Sequence, residues 1–257
     1  MANVEFTSAA EKYDRFMGRY TRTLAPLFAD VAGVTGGMRV LDVGCGPGGL
    51  ADELVARVGV GNVAAIDPAP QFAAACAERH PGADVRVGAA EGLPWPDGSF
   101  DATLASLVIG FMQDADQGVR EMARVTRPGG TVAACMWDIA GGGMTMLNTF
   151  WRVARDIDPG AIGERTRPGV AEGDIGERFR RAGLRDVVEG SIEASADYLD
   201  FDDFWEPLTF AVGPAGQYLA AQTGERQAQI REACRAAVPA PPFSLPARAW
   251  YACGTAP

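Results

Sequence analysis

Residues 40–49 read Val-Leu-Asp-Val-Gly-Cys-Gly-Pro-Gly-Gly, an apolar strand that runs straight into a glycine turn and then a helix. Gly44, Gly46 and Gly48 recur at alternate positions after Asp42 and Val43. Glycine at that density lets a ligand lie directly on backbone that any Cβ would push away. Pro47 stands where a helix can take its first residue, with φ preset and no amide hydrogen to leave unpaired. A strand that stops in such a turn builds a nucleotide site at the carboxyl edge of an α/β sheet.

The segments on either side repeat the same alternation. Strands are expected at Met38–Val43, Asn62–Asp67, Asp84–Gly88, Phe100–Ser106 and Thr131–Trp137, with helices at Pro47–Val58, Pro70–Arg79 and Asp114–Thr126. Short apolar strands separated by helices imply a parallel sheet covered on both faces. The turn Arg127-Pro-Gly-Gly130 is expected to end its helix and launch the fifth strand. Beyond it come helices at Gly141–Asp158 and Gly173–Ala182, a strand at Leu184–Ala194, a mainly helical stretch over 199–238, and a last strand at Arg248–Gly254.

At 257 residues this reads as one domain with additions: an N-terminal cap (1–34), a nucleotide-binding core (35–138) and a C-terminal part (139–257) carrying a helical lid at about 197–240. The net charge of −10, with a single lysine and scattered arginines, disfavours a nucleic-acid partner, because that affinity comes from clustered cations. No apolar run reaches the roughly 18–20 residues of a membrane span. The N-terminus has no export pattern, so a cytoplasmic location is expected. Five dispersed cysteines imply free thiols, Cys45 being read as buried filler rather than a nucleophile. One histidine and no clustered ligands leave no metal site in view.

Gly44-x-Gly46-x-x-Gly49 also satisfies the dinucleotide fingerprint, so the turn alone leaves the nucleotide open. Asp67, ending the second strand, suits two adjacent ribose hydroxyls in either case. The next segments are Glu91-Gly-Leu-Pro94 with Phe100-Asp101, then Ala105-Ser106-Leu107, then Arg127-Pro-Gly-Gly130. With the Asp42-x-Gly44 turn, this set resembles the class I S-adenosylmethionine-dependent methyltransferases of the type 11 or UbiE-like group, strongly over residues 38–137.

That resemblance implies a Rossmann-like α/β fold, a mostly parallel seven-stranded sheet with helices on both faces, an N-terminal cap helix and a helical insertion before the last strand. It implies S-adenosyl-L-methionine as cofactor, S-adenosyl-L-homocysteine as product, and a small-molecule methyl acceptor as partner. It places Gly44, Cys45 and Gly46 against the amino-acid part of the cofactor, Asp67 on the ribose and Pro68 beside the adenine. Ala90 and Glu91 fall on the base edge, and Ser106 and Leu107 near the methionine amino group. Tyr13 and Arg22, in the segment resembling the family's cap, are candidate contacts. A sulfonium is served by carboxylates and aromatic faces, which adds Asp42.

The stretch Ile109–Asp114 lacks the histidine that many relatives carry as a base. His80, in the turn Arg79-His-Pro-Gly82, is expected at the surface on the amino edge, away from the cofactor. Asp138, directly after the fifth strand, is the leading candidate base, with Asp114, Asp203, Glu206 and Tyr218 behind it. Positioning of an already nucleophilic acceptor competes with all of them. Phe111, Trp137, Phe150, Trp151, Phe204, Trp205 and Phe210 form a candidate apolar substrate wall, or else fill the core of the insertion. A nicotinamide-dependent oxidoreductase and a non-catalytic binder of the same nucleotide remain as alternatives. The first lacks an evident Tyr-x-x-x-Lys pair.

Overall fold

The computed structural model describes residues 9–257. The expected cap therefore begins at Ala9, and its first eight positions lie outside the described residues. Helix α1 (Ala9–Tyr13) passes through a widened π turn at Asp14–Gly18 into α2 (Arg19–Val31). Tyr20, Leu24, Phe28 and Ala29 recur at helical spacing on α2 and are buried together.

Strand β1 (Val40–Val43) is buried throughout, as a strand covered on both faces must be. The chain then runs α3 (Gly49–Val58), β2 (Val63–Asp67), α4 (Pro70–Arg79), β3 (Asp84–Val87), β4 (Phe100–Ser106), α5 (Ala115–Val125) and β5 (Thr126–Trp137). Next come α6 (Thr145–Ile157), α7 (Asp174–Arg181), β6 (Arg185–Tyr198), α8 (Phe201–Trp205), α9 (Gly213–Ala220), α10 (Gly224–Ala237) and β7 (Phe243–Thr255). The seven strands form one sheet in the order β3-β2-β1-β4-β5-β7-β6. β1 to β5 pair in parallel, and β7 runs antiparallel between β5 and β6. Helices cover both faces. The Cys253 Sγ reaches the Val31 carbonyl on α2, while its neighbour Gly254 packs against Phe179 on α7.

Three boundaries differ from expectation for physical reasons. Helix α3 starts at Gly49 rather than Pro47, because Gly48 still turns the chain at φ 100°. Arg127-Pro-Gly-Gly130 sits within β5 as an excursion rather than before it: Phe100 pairs with Thr126, then Ala102 pairs with Thr131. An added Cβ at Gly130 would meet the Asp101 carbonyl at 2.6 Å, so the close return of the chain excludes any side chain there. The Gly141–Gly143 run is a turn before α6, not its first residues.

The sheet reverses direction of growth at β1, which has β2 on one side and β4 on the other. Crevices at the carboxyl end of such a switch point are where open α/β sheets bind ligands. The glycine turn leaves β1 at that place. β6 and β7 pair up to Tyr198 and Phe243, beyond the Trp137–Ala249 rung where β5 ends. The helical segment between them therefore stands at the same carboxyl edge.

Candidate cofactor and acceptor site

The turn after β1 is shaped by three separate demands. Gly44 has φ 71°, and an added Cβ would lie 2.3 Å from Val108, so the loop after β4 closes directly on it. At Gly49 the same Cβ would meet Thr21 of α2 at 2.7 Å, which is how the N-terminal helix sits on the turn. Gly46, at φ 53°, has nothing within 4 Å of a Cβ position. It is the member of the series whose backbone faces open space.

Asp67 holds this turn from the end of β2. Its Oδ2 accepts from the Gly46 amide at 2.9 Å and its Oδ1 from the Ala69 amide at 2.9 Å. Burial raises its pKa, and those two amides oppose the rise. Each oxygen keeps a further lone pair for another donor. Pro68 follows Asp67 directly, at the mouth of α4.

Asp42 is 0% exposed, and neither carboxylate oxygen has a hydrogen-bond partner. Burial, then the Asp67 charge, raise its pKa to about 8; the Ala51 amide pulls the other way without forming a proper bond. A buried carboxylate with no donor is an unpaid debt that a cation can settle. Tyr13 reaches the same place from α1. Its phenol is pushed up to about 12 by burial, then by Asp67, Asp14 and Asp42, and its ring meets Phe72 edge-on at 5.7 Å.

Leu107 closes the opposite rim with φ 60°, a strained value for a residue with a branched side chain, held by its amide on the Cys135 carbonyl at 2.9 Å. Ser106 Oγ contacts Cys135 Sγ at 3.6 Å. Cys45 is buried with Cys76, which raises its thiol pKa further than burial does, so it is inert filler. Ala90 is buried beside Gly118. The Glu91 carboxylate accepts from the Gln113 and Asp114 amides at 2.7 and 3.1 Å and so braces the start of α5.

Several expectations are corrected. Asp138 is buried, but Arg248 holds it through Nε and NH2 at 3.0 and 2.6 Å, and the Gly141 amide donates to it at 2.8 Å. These contacts tie the end of β5 to β7 and leave Asp138 with partners of its own. Asp203 is bound to Arg19 at 2.8 Å, Asp114 caps α5, Glu206 meets Arg15, and Tyr218 donates to Asp158.

The candidate wall divides as well. Trp151 is buried on Phe150 and donates to Glu164 at 3.0 Å, while Phe204 and Trp205 pack on Phe201. These three fill the core of the C-terminal part and the insertion. Phe111 is 49% exposed under the Arg167 guanidinium, at the surface. Trp137 lies at the carboxyl edge against the N-terminal helix, 5.8 Å from the Tyr20 ring. Arg22 is exposed and lines a polar groove of about 470 Å³ with Asp14, Arg19 and Asp203, on the outer side of the helix.

His80 is neither at the surface nor remote. It is 7% exposed, its Nε2 lies 3.2 Å from Asp52 Oδ1, and a Cβ on Gly48 would touch it at 3.1 Å. Helix α4 carries it back under the glycine turn. Sequence spacing gave no hint of this, because the contact depends on the angle at which α4 crosses α3.

Comparison with known proteins follows this geometry. Residues 41–134 match the family model for a methyltransferase domain. The chain is 30% identical over 147 residues to a malonyl-[acyl-carrier protein] O-methyltransferase of Pectobacterium atrosepticum, covering 57% of this chain and 56% of that one. It is 36% identical over 130 residues to a demethylmenaquinone methyltransferase of Renibacterium salmoninarum, covering 49% and 54%. The chain spans about half the length of the curated relatives it matches. In fold it resembles Haemonchus contortus phosphoethanolamine N-methyltransferase 2, solved with phosphomonomethylethanolamine and S-adenosylhomocysteine. The TM-score is 0.59 at 17% identity, covering 99% of this chain and 58% of that one.

Proposed function

Residues 41–134 match the model for a methyltransferase domain, and from this we propose a class I enzyme that binds S-adenosyl-L-methionine and methylates a small molecule. The observation that carries this reading is Asp42: a buried carboxylate with no partner, beside Asp67, where Gly46 leaves open backbone. A ligand with a cationic amino acid at one end and a ribose at the other satisfies both carboxylates. It carries no phosphate, which fits a turn with no lysine near it.

When bound, the cofactor supplies a methyl group on a positively charged sulfur. Asp67 offers its free lone pairs to the ribose hydroxyls, with Pro68, Ala90 and Glu91 along the base side. Asp42 balances the charged end, and the backbone of Gly44, Cys45, Gly46, Ser106 and Leu107 walls it in. Tyr13 covers this seam from above, and the expected lid over about 197–240 stands over the acceptor side. The side chains weighed as bases are committed to other partners, so the chain contributes alignment and exclusion of water rather than proton removal. Of the relatives named above, one is a demethylmenaquinone methyltransferase, which supports a small acceptor here, and the other a malonyl-[acyl-carrier protein] O-methyltransferase. No described helix is long and apolar enough to cross a membrane.

Thermal unfolding tests the reading. S-Adenosylhomocysteine at about a hundred times its dissociation constant should add roughly 2.7 kcal/mol of stability. NAD should add none, and Asp67→Ala should abolish the shift. Stabilisation by NAD alone would overturn the proposal in favour of hydride transfer.

A further inference from the structure

The sheet register places four side chains on one face, on successive rungs of neighbouring strands. Asp42 pairs with Leu104, and Ser106, two residues on, pairs with Cys135. Partners in a parallel ladder share a face and side chains alternate, so Asp42, Ser106, Cys135 and Trp137 all lie on one face. It is the face under α2, because Trp137 pairs with Ala249 and meets Tyr20. Trp137 stands two strands across from Asp42 and four residues further along, beyond the Asp42–Leu104–Ala133 rung, about 16 Å away at ordinary strand spacing and rise.

Trp137 is 4% exposed, and its indole Nε1 is sealed from solvent with no acceptor among the described residues. The Tyr20 hydroxyl is turned to the Tyr198 hydroxyl at 3.0 Å and does not reach the indole N–H. Buried polar groups are almost always paired, and an orphan of this kind marks either a cost or a partner still to arrive. An indole N–H can only donate. Its partner must therefore be an acceptor atom, and an ionised oxygen makes the strongest such bond.

We propose that Trp137 is a specificity-determining residue whose N–H binds an ionised oxygen of the methyl acceptor, so that the substrate is an oxygen acid, a carboxylate or phenolate. This rests on the methyl-transfer reading. The class also fits the committed acids and phenols described above. An acceptor that arrives as an anion has no proton to lose. One lone pair of its oxygen forms the bond to the methyl carbon as the carbon–sulfur bond breaks, the bonding pair stays on sulfur, and no base takes part. In a carboxylate the second oxygen remains on the Trp137 N–H and fixes the first in line. An ammonium would place a donor against a donor and be turned away. Access requires α2 to lift at Tyr20.

The test uses the full chain with ¹⁵N-labelled indoles and saturating S-adenosylhomocysteine. The Trp137 signal is assigned by elimination, with Phe placed in turn at Trp95, Trp151, Trp205 and Trp250, so that assignment does not depend on the fold of a Trp137 variant. Benzoate, hexanoate or 4-nitrophenolate should move that signal and slow its exchange with solvent, and benzylamine should not. In parallel, Trp137→Phe should leave the S-adenosylhomocysteine dissociation constant within about twofold and raise the acceptor KM by about ten- to a hundredfold. The inference is overturned if none of the three anions moves the signal, if benzylamine moves it equally, or if only amines or thiols are methylated. A wild-type chain that fails to bind S-adenosylhomocysteine defeats the methyl-transfer reading instead, which separates the two failures.

Discussion

Asp42 and Asp138 are two carboxylates at corresponding places, one near the end of β1 and one just past the end of β5, exposed by 0% and 1%. Around Asp138 both oxygens are answered, one by two nitrogens of Arg248 and the other by the Gly141 amide. Glycine is required at 141 and 143 because a Cβ there would fall 2.7 and 2.5 Å from that carboxylate. Around Asp42 nothing answers. Burial alone therefore says little about role. What distinguishes a site from an anchor is whether the protein has already supplied the partner.

The largest effect that could break this comparison is on the Asp138 side. Asp138→Ala should cost about 3 kcal/mol, the low end for removing one member of a buried pair, because Arg248 is partly exposed. That lowers Tm by roughly 6–12 °C, with the S-adenosylhomocysteine dissociation constant unchanged. A variant that melts like the parent but loses turnover would return Asp138 to the chemistry.

Asp42→Asn should do the reverse. It should raise Tm of the ligand-free chain and weaken S-adenosylhomocysteine by about tenfold or more, near 1.4 kcal/mol. Its pH signature follows from a native pKa of about 8 against 3.8 when unfolded. Between those values the native state keeps a proton that the unfolded state has released, so stability falls as pH rises from about 4 to about 8. A bound ammonium favours the ionised form, so binding at pH 7 should release a proton. Calorimetry in buffers of differing ionisation heat measures that release, and Asp42→Asn should remove it.

A smaller effect is expected at Gly46. Gly46→Ala meets no atom but must hold φ 53°, a strain of roughly 1–2 kcal/mol. Denaturant titration would show that loss, with ligand affinity falling further because the new methyl occupies the open side. The smallest belongs to His80. His80→Ala removes the ring beneath Gly48 and should weaken S-adenosylhomocysteine a few-fold with little change in acceptor KM. Equal affinities would mean that Gly48 keeps its place without that support.

The first five strands are legible within a few residues: β1, β2, β4 and the main part of β5 because strands buried on both faces read as apolar runs, and β3, a partly exposed edge strand, from its two valines at alternate positions. β4 was placed at Phe100–Ser106, as observed. The two antiparallel strands came out short, at Leu184–Ala194 and Arg248–Gly254 against Arg185–Tyr198 and Phe243–Thr255. The outer end of β6 is the small, polar Ser195-Ala-Asp-Tyr198, and that of β7 carries Pro246, so neither reads as a strand. In the site, the turn glycines and Asp67 were visible because local backbone demands specify them. The fates of Asp138, Trp151 and His80 were not. Arg248 is 110 residues from Asp138, and no periodicity reports a partner at that distance.

One rung of the sheet has a consequence for how the chain can change over time. Tyr198 and Phe243 face each other at the end of the β6–β7 ladder, so both ends of residues 199–242 are fixed at neighbouring points. Whatever lies between them is a cassette on a fixed hinge plate. It can be lengthened, trimmed or exchanged by recombination while Asp42, Asp67 and the glycine turn, on strands further in, keep their register. On the methyl-transfer reading proposed above, acceptor choice can thus drift independently of the methyl donor.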